Sequence, residues 1–177
     1  MNLSHIVSVF GSNDAAEGDA AYEQARRVGS TLASLGYTIA NGGYRGTMEA
    51  SARGAKDAGG RTLGVICSVW KSLPSMYIDT AIKTASLHER LDKLISLGQG
   101  GGYVALPGAT GTLAELALVW EMMCKKILPR RPLVMMGDFW QPVVDLMASA
   151  RPACAHVIHT VAAPDELTKF FPPVRNH

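Results

Sequence analysis

The chain has 177 residues, 47% of them apolar and 18% charged, which suits one domain with a sizeable core and excludes a fibrous or low-complexity class. Its 17 Lys and Arg against 15 Asp and Glu leave a formal net charge of +2, too mild to point to a nucleic-acid partner. No apolar run reaches the roughly 18 residues of a membrane span and no secretory leader pattern opens the chain, so a cytoplasmic protein with no membrane partner is expected.

The first apolar run, residues 5–10, predicts a strand, with Gly11-Ser12-Asn13-Asp14 turning after it. A helix is expected over about 18–35, because Ala21, Ala25, Val28, Leu32 and Leu35 share one face and Gly36 supplies a stop. Residues 37–40 read as a second strand. Asn41-Gly42-Gly43-Tyr44-Arg45-Gly46 then forms a glycine-rich turn opening a helix at 47–58, which Gly59-Gly60 ends before a third strand at 62–66. The stretch 67–84 has no clear period, with room for a short strand at 78–84. A helix at about 87–97 leads through Gly98-Gln99-Gly100-Gly101 to a strand at 102–106. Leu113, Leu116, Ala117, Trp120 and Met123 form the buried stripe of a helix ending near 127. A strand at 132–136, a helix at 140–150, an edge strand at 156–161 and a last helix at 164–171 complete the pattern.

Strands alternating with helices imply right-handed crossovers, hence a single-domain α/β fold: a Rossmann-like, doubly wound, mostly parallel sheet with helices on both faces. Ligands of such sheets sit beyond the carboxyl ends of the strands, where both glycine-rich turns fall. The usual phosphate motifs are absent. Gly11-Ser12-Asn13-Asp14-Ala15-Ala16 is not G-x-G-x-x-G, and no segment matches G-x-x-x-x-G-K-[ST], so neither an NAD site in the usual place nor a P-loop is expected. Cys67, Cys124 and Cys154 are odd in number and widely spaced among apolar residues, which fits reduced core thiols better than a disulfide framework or a metal site.

The richest segment is Leu106-Pro107-Gly108-Ala109-Thr110-Gly111-Thr112-Leu113-Ala114-Glu115, which joins a strand end, a turn, a helix start and a carboxylate. Free amides of a helix's first turn, with the positive end of its dipole, favour phosphate. Gly108, Ala109, Thr110, Gly111 and Thr112 are therefore candidate phosphate ligands, with Glu115 at their edge. Thr112-x-x-Glu115 equally fits a capping box, in which the carboxylate does no chemistry. Ser86-Leu87-His88-Glu89 fits another, and His88 reads as a helix-surface residue.

Pro107-Gly108-x-x-Gly111-Thr112-x-x-Glu115 resembles the P-G-G-x-G-T-x-x-E signature of the LOG family, the cytokinin riboside 5′-monophosphate phosphoribohydrolases often mislabelled lysine decarboxylases. His88-Glu89-Arg90 resembles that family's M-H-E-R-K segment, and Asn41-Gly42-Gly43-Tyr44-Arg45-Gly46-Thr47-Met48 its G-G-G-x-x-G-x-M loop. The matches keep order and spacing from the first strand to about Pro132. Departures are Ala109 for the second glycine, Leu87 and Leu91 flanking the H-E-R segment, and Ala114 before the glutamate.

The resemblance implies hydrolysis of the N-glycosidic bond of a nucleoside 5′-monophosphate, with Arg90 and Glu115 as the catalytic pair, no cofactor, and a homodimer. Glu115 would face the cationic ribose of the transition state, as carboxylates do in glycoside hydrolysis. Gly43, Arg45, Gly46, Thr47 and Ser12 are further candidates for contact with the phosphate or ribose. A binding or carrier protein of the same fold, holding a nucleotide or phosphorylated cofactor without turnover, is the alternative. A pyridoxal-phosphate decarboxylase would need a Schiff-base lysine, and Lys93, the nearest to a motif, has no partner pattern.

Overall fold

The computed structural model describes residues 5–174. In chain order the elements are β1 (Ile6–Phe10), α1 (Ala20–Ser34), β2 (Thr38–Asn41), α2 (Thr47–Asp57), β3 (Thr62–Cys67), β4 (Thr80–Thr84), α3 (Leu87–Gly98) and β5 (Gly102–Ala105). They are followed by α4 (Thr110–Cys124), β6 (Leu133–Met136), α5 (Gln141–Ala150), α6 (Pro152–Ala155), β7 (His159–Val161) and a 3-10 helix at Pro164–Lys169. The seven strands form one sheet in the order β4-β3-β2-β1-β5-β6-β7, and every pairing is parallel.

A parallel sheet covered on both faces buries every strand residue, so its strands read as continuous apolar runs, and β1, β5 and β6 do. Alternate residues feed two cores. Ile6, Phe10, Tyr103, Ala105, Leu133 and Met135 pack on one face with α3 and α4 side chains such as Leu94, Leu116 and Trp120. Val7, Val9, Val104, Leu106, Val134 and Met136 pack on the other, against Ala25, Val28 and Leu32 of α1. The α/β expectation is borne out.

Chain direction across the sheet reverses at β1, since β2 to β4 run off one side of it and β5 to β7 off the other. At such a switch point the loops after the two central strands diverge and leave a crevice beyond their carboxyl ends. Here those are the loops after β1 and β5.

Several boundaries differ from the sequence pattern, among them the end of α4, at Cys124 and not near 127. The final strand shortens to three residues because Pro152, with its fixed φ, starts the short helix α6. The last helix is of 3-10 type and ends at Lys169. Most consequentially, α4 starts at Thr110, two residues before the apparent cap.

Helices α1 and α2 approach closely enough to constrain their sequence. A methyl built on Gly54 would run into the carbonyl oxygen of Arg26, and one on Gly29 into that of Ser51. Both obstacles are backbone, so the helices themselves would have to separate. Gly54→Ala is expected to destabilise by about 2–3 kcal/mol, although alanine is the better helix former. A denaturant titration in which the alanine variant matches or exceeds the parent would refute that close approach.

Candidate functional site

The crevice at the switch point is a cleft of about 370 Å3. Gly11, Ser12, Asn13 and Asp14 line it from the loop after β1, and Ala109, Gly111, Thr112 and Glu115 from α4 and its entry. Arg90, Tyr44, Met48, Trp70 and Ser72 complete the wall.

The entry to α4 is built from Ala109, the N-cap, at φ −95° and ψ −159°. That is extended backbone open to any residue, so alanine in place of glycine costs the turn no strain. The Leu113 N–H is the first to bond back, to the Ala109 carbonyl at 3.0 Å. The amides of Thr110, Gly111 and Thr112 consequently lie outside the helical ladder, at the positive end of the helix.

Thr112 is thus the third residue of α4 and not its cap, which excludes the capping-box reading of Glu115. The carboxylate instead accepts a hydrogen bond from Arg90 Nη1 at 3.2 Å. Arg90 reaches it from α3, whose start is capped: Ser86 Oγ accepts the Glu89 N–H at 3.1 Å, and the Glu89 carboxylate accepts the Ala85 N–H at 2.7 Å. With Glu89 spent on the cap, Arg90 turns inward and donates Nε–H to the Val65 carbonyl at 2.9 Å. Its guanidinium lies 5.5 Å from the centre of the Trp70 ring and 6.0 Å from that of Tyr44, within cation–π range.

Both partners are nearly enclosed, Arg90 at 7% exposure and Glu115 at 5%. Burial pushes the Glu115 carboxyl up to about 7, with Arg90 pulling against it through its charge and hydrogen bond. A carboxyl so poised is ionised in part near neutrality and changes charge at little cost there.

The second glycine-rich turn stands behind the cleft. Thr47 Oγ1 accepts the Ser12 N–H at 2.9 Å and donates to the Ser12 carbonyl at 3.1 Å, fastening the loop after β1 to the start of α2. Gly46, at φ +68°, lies against that same Ser12 carbonyl, where a side chain would collide. Gly43 donates its N–H to Asn41 Oδ1 at 2.8 Å and, like Arg45, Gly46 and Thr47, is not on the cleft wall. Arg45 is exposed. Ser12 is on the wall, its hydroxyl donating to Asp14 Oδ2 at 2.7 Å.

Gly11, Asn13, Asp14, Tyr44, Met48, Trp70 and Ser72 also line the cleft, and none of them is among the candidates the sequence offers. Tyr44 and Met48 lie inside the glycine-rich segment Asn41 to Met48. Trp70 and Ser72 lie on the aperiodic connection 68–79, where no period directs attention to any residue.

Residues 4–153 match the model of the SLOG cluster4 family. Over 131 residues the chain is 30% identical to an uncharacterized protein of Archaeoglobus fulgidus, covering 74% of this chain and 83% of that one. It is also 37% identical over 101 residues to the cytokinin riboside 5′-monophosphate phosphoribohydrolase of Mycobacterium tuberculosis. That match covers 55% of this chain and 53% of the relative, so the chain spans about half the length of the phosphoribohydrolase it matches. Among solved structures, the molybdenum cofactor carrier protein of Chlamydomonas reinhardtii covers 91% of both chains at a TM-score of 0.69 and 26% identity. These matches bear out the resemblance to the LOG family.

Proposed function

The chain belongs to the SLOG cluster4 family, and from that premise we propose that it hydrolyses the N-glycosidic bond of a purine nucleoside 5′-monophosphate, AMP or a cytokinin-type nucleotide, to free base and ribose 5-phosphate. The observation that carries this reading is the buried Arg90–Glu115 pair at the wall of a cleft whose other side is the open first turn of α4.

In this arrangement the 5′-phosphate lies over the amides of Thr110, Gly111 and Thr112, next to Gly108 and Ala109. The ribose then falls beside Glu115, one to two turns further along the helix. As the bond from C1′ to the base nitrogen breaks, the base leaves with the electron pair and the ribose becomes cationic. The Glu115 carboxylate stabilises that charge electrostatically, water adds to C1′, and the departing base gains a proton. Arg90 fixes the orientation of the carboxylate through its 3.2 Å bond and is itself fixed by the Val65 carbonyl.

A panel of nucleoside monophosphates, assayed by chromatography for released base, tests the reading. AMP or a related purine nucleotide should yield base and ribose 5-phosphate in equal amounts. Likeness to the carrier protein over 91% of both chains favours a second reading, a nucleotide or phosphorylated-cofactor binding protein without turnover. It predicts a thermal shift with the same ligands and no product after long incubation. We assign the expected homodimer to the apolar surface of α4 and α5, where Leu118, Leu146 and Met147 are exposed; light scattering of the pure protein reads it directly.

A further inference from the structure

We propose that Trp70 is the specificity-determining residue for the base, which stacks on its indole face. This inference rests on the nucleotide reading above and names the contact that reading leaves open.

The chain has three tryptophans, and two are placed as core residues are. Trp120 donates its indole N–H to the Cys154 carbonyl at 2.8 Å and Trp140 to that of Leu106 at 2.9 Å, and both are buried. Trp70 is 43% exposed, lines the cleft, and has no acceptor for its N–H among the described residues. A large aromatic surface left in water beside a cleft is costly for folding alone and useful for a planar ligand.

Its mounting is rigid. Tyr44 Oη accepts the Cys67 N–H at 2.9 Å and donates to the Cys67 carbonyl at 3.3 Å, where the loop leaves β3. Further along, the Ser75 N–H donates to the Gly43 carbonyl at 2.8 Å. Between these anchors the Tyr44 ring meets Trp70 edge to face, at 5.7 Å and 79°. Trp70 is therefore held on the same wall as Arg90, the residue that orients the carboxylate.

The remaining wall offers no rival platform. Tyr44 and Met48 are each 8% exposed and packed behind it, while the α4 amides and the Arg90–Glu115 pair are polar and suited to phosphate and ribose. Recognition through a π face reads the size and planarity of the base and not its hydrogen-bonding edges, because every base presents such a face. Purines should consequently bind alike, and better than pyrimidines.

Calorimetric titration of AMP and of ribose 5-phosphate into Glu115→Gln, whose slowed turnover leaves AMP largely intact over a titration, separates the base from the rest of the ligand. Adding Trp70→Ala is expected to weaken AMP binding about tenfold or more and leave ribose 5-phosphate unchanged, and Trp70→Phe should recover most of the loss. Equal weakening of both ligands would overturn the proposal, since it would mean that the loop or Arg90 had moved. AMP affinity indifferent to Trp70→Ala would also overturn it. Failure of both ligands to bind the parent protein would sink the nucleotide reading and this inference together. Tight AMP binding with no product from the protein with Glu115 intact would remove the hydrolase reading and leave the stacking result standing.

Discussion

Glu115→Gln is expected to lower the rate of base release from AMP by about 10²–10³-fold, with AMP binding close to that of the parent, as when a single electrostatic stabiliser of a transition state is removed. Glutamine keeps the volume of the side chain and an oxygen that can accept from Arg90 Nη1, so the ion pair's geometry has a neutral counterpart. What disappears is the negative charge. In the proposed complex a ground-state nucleotide carries its charge on phosphate, over the start of α4, and hardly senses the difference. The cationic ribose does. Single-turnover rates with a parallel binding titration separate the two effects, and undiminished turnover in the glutamine variant would remove Glu115 from the reaction.

The same carboxyl sets a pH profile. Burial holds its folded-state pKa at about 7, and in the proposed reaction the ionised form is the one that stabilises the ribose cation. The rate in the parent should climb as pH rises through about 7 and fall on the acid side, a limb the residual activity of the glutamine variant must lack. Stability moves the other way. A carboxyl whose pKa rises on folding favours the native state below its unfolded value near 4.5, and that contribution is lost as pH rises through 7. The proposed activity and the stability are therefore opposed across this window.

Much of this fold is legible because a two-face-covered parallel sheet writes its strands as apolar runs and its crossovers as periodic helices, and β1, β5 and β6 show both. The start of α4 is not, for a specific reason. Thr112 with a glutamate three residues on is a strong start signal, whereas the residue that caps the helix is Ala109, among the weakest N-cap types. The site divides in the same way. Arg90 and Glu115 each stand in a recognisable segment, yet their contact joins residues 25 apart in sequence on two different helices and exists only after β5 has paired beside β1. Trp70 leaves no trace in any period, because its loop is fixed by tertiary bonds to Tyr44 and Gly43.

Arg90→Ala should cost about 3–5 kcal/mol at pH 8 and markedly less at pH 5.5, besides abolishing turnover, because it strands the Glu115 carboxylate without a partner in a site 5% exposed. With the opposing charge gone, desolvation acts alone and raises the carboxyl further above its unfolded value. The group then takes up a proton on folding over a wider range. The native state is relieved of an unpaired charge at pH 5.5 but must desolvate or neutralise one at pH 8, so the gap between variant and parent widens as pH rises. Denaturant midpoints at the two pH values measure it, and a penalty independent of pH would mean that Arg90 contributes packing and not charge. Gly42→Ala isolates position from charge. A methyl there would run into Arg90 Nη2 and the Met48 sulfur, both ends of flexible side chains, so the backbone can stay while the guanidinium is pushed aside. The positive charge remains nearby to moderate the carboxylate, and the stability loss should be smaller than in Arg90→Ala. Turnover should still fall sharply, because a carboxylate no longer held by its 3.2 Å bond loses its aim at the ribose.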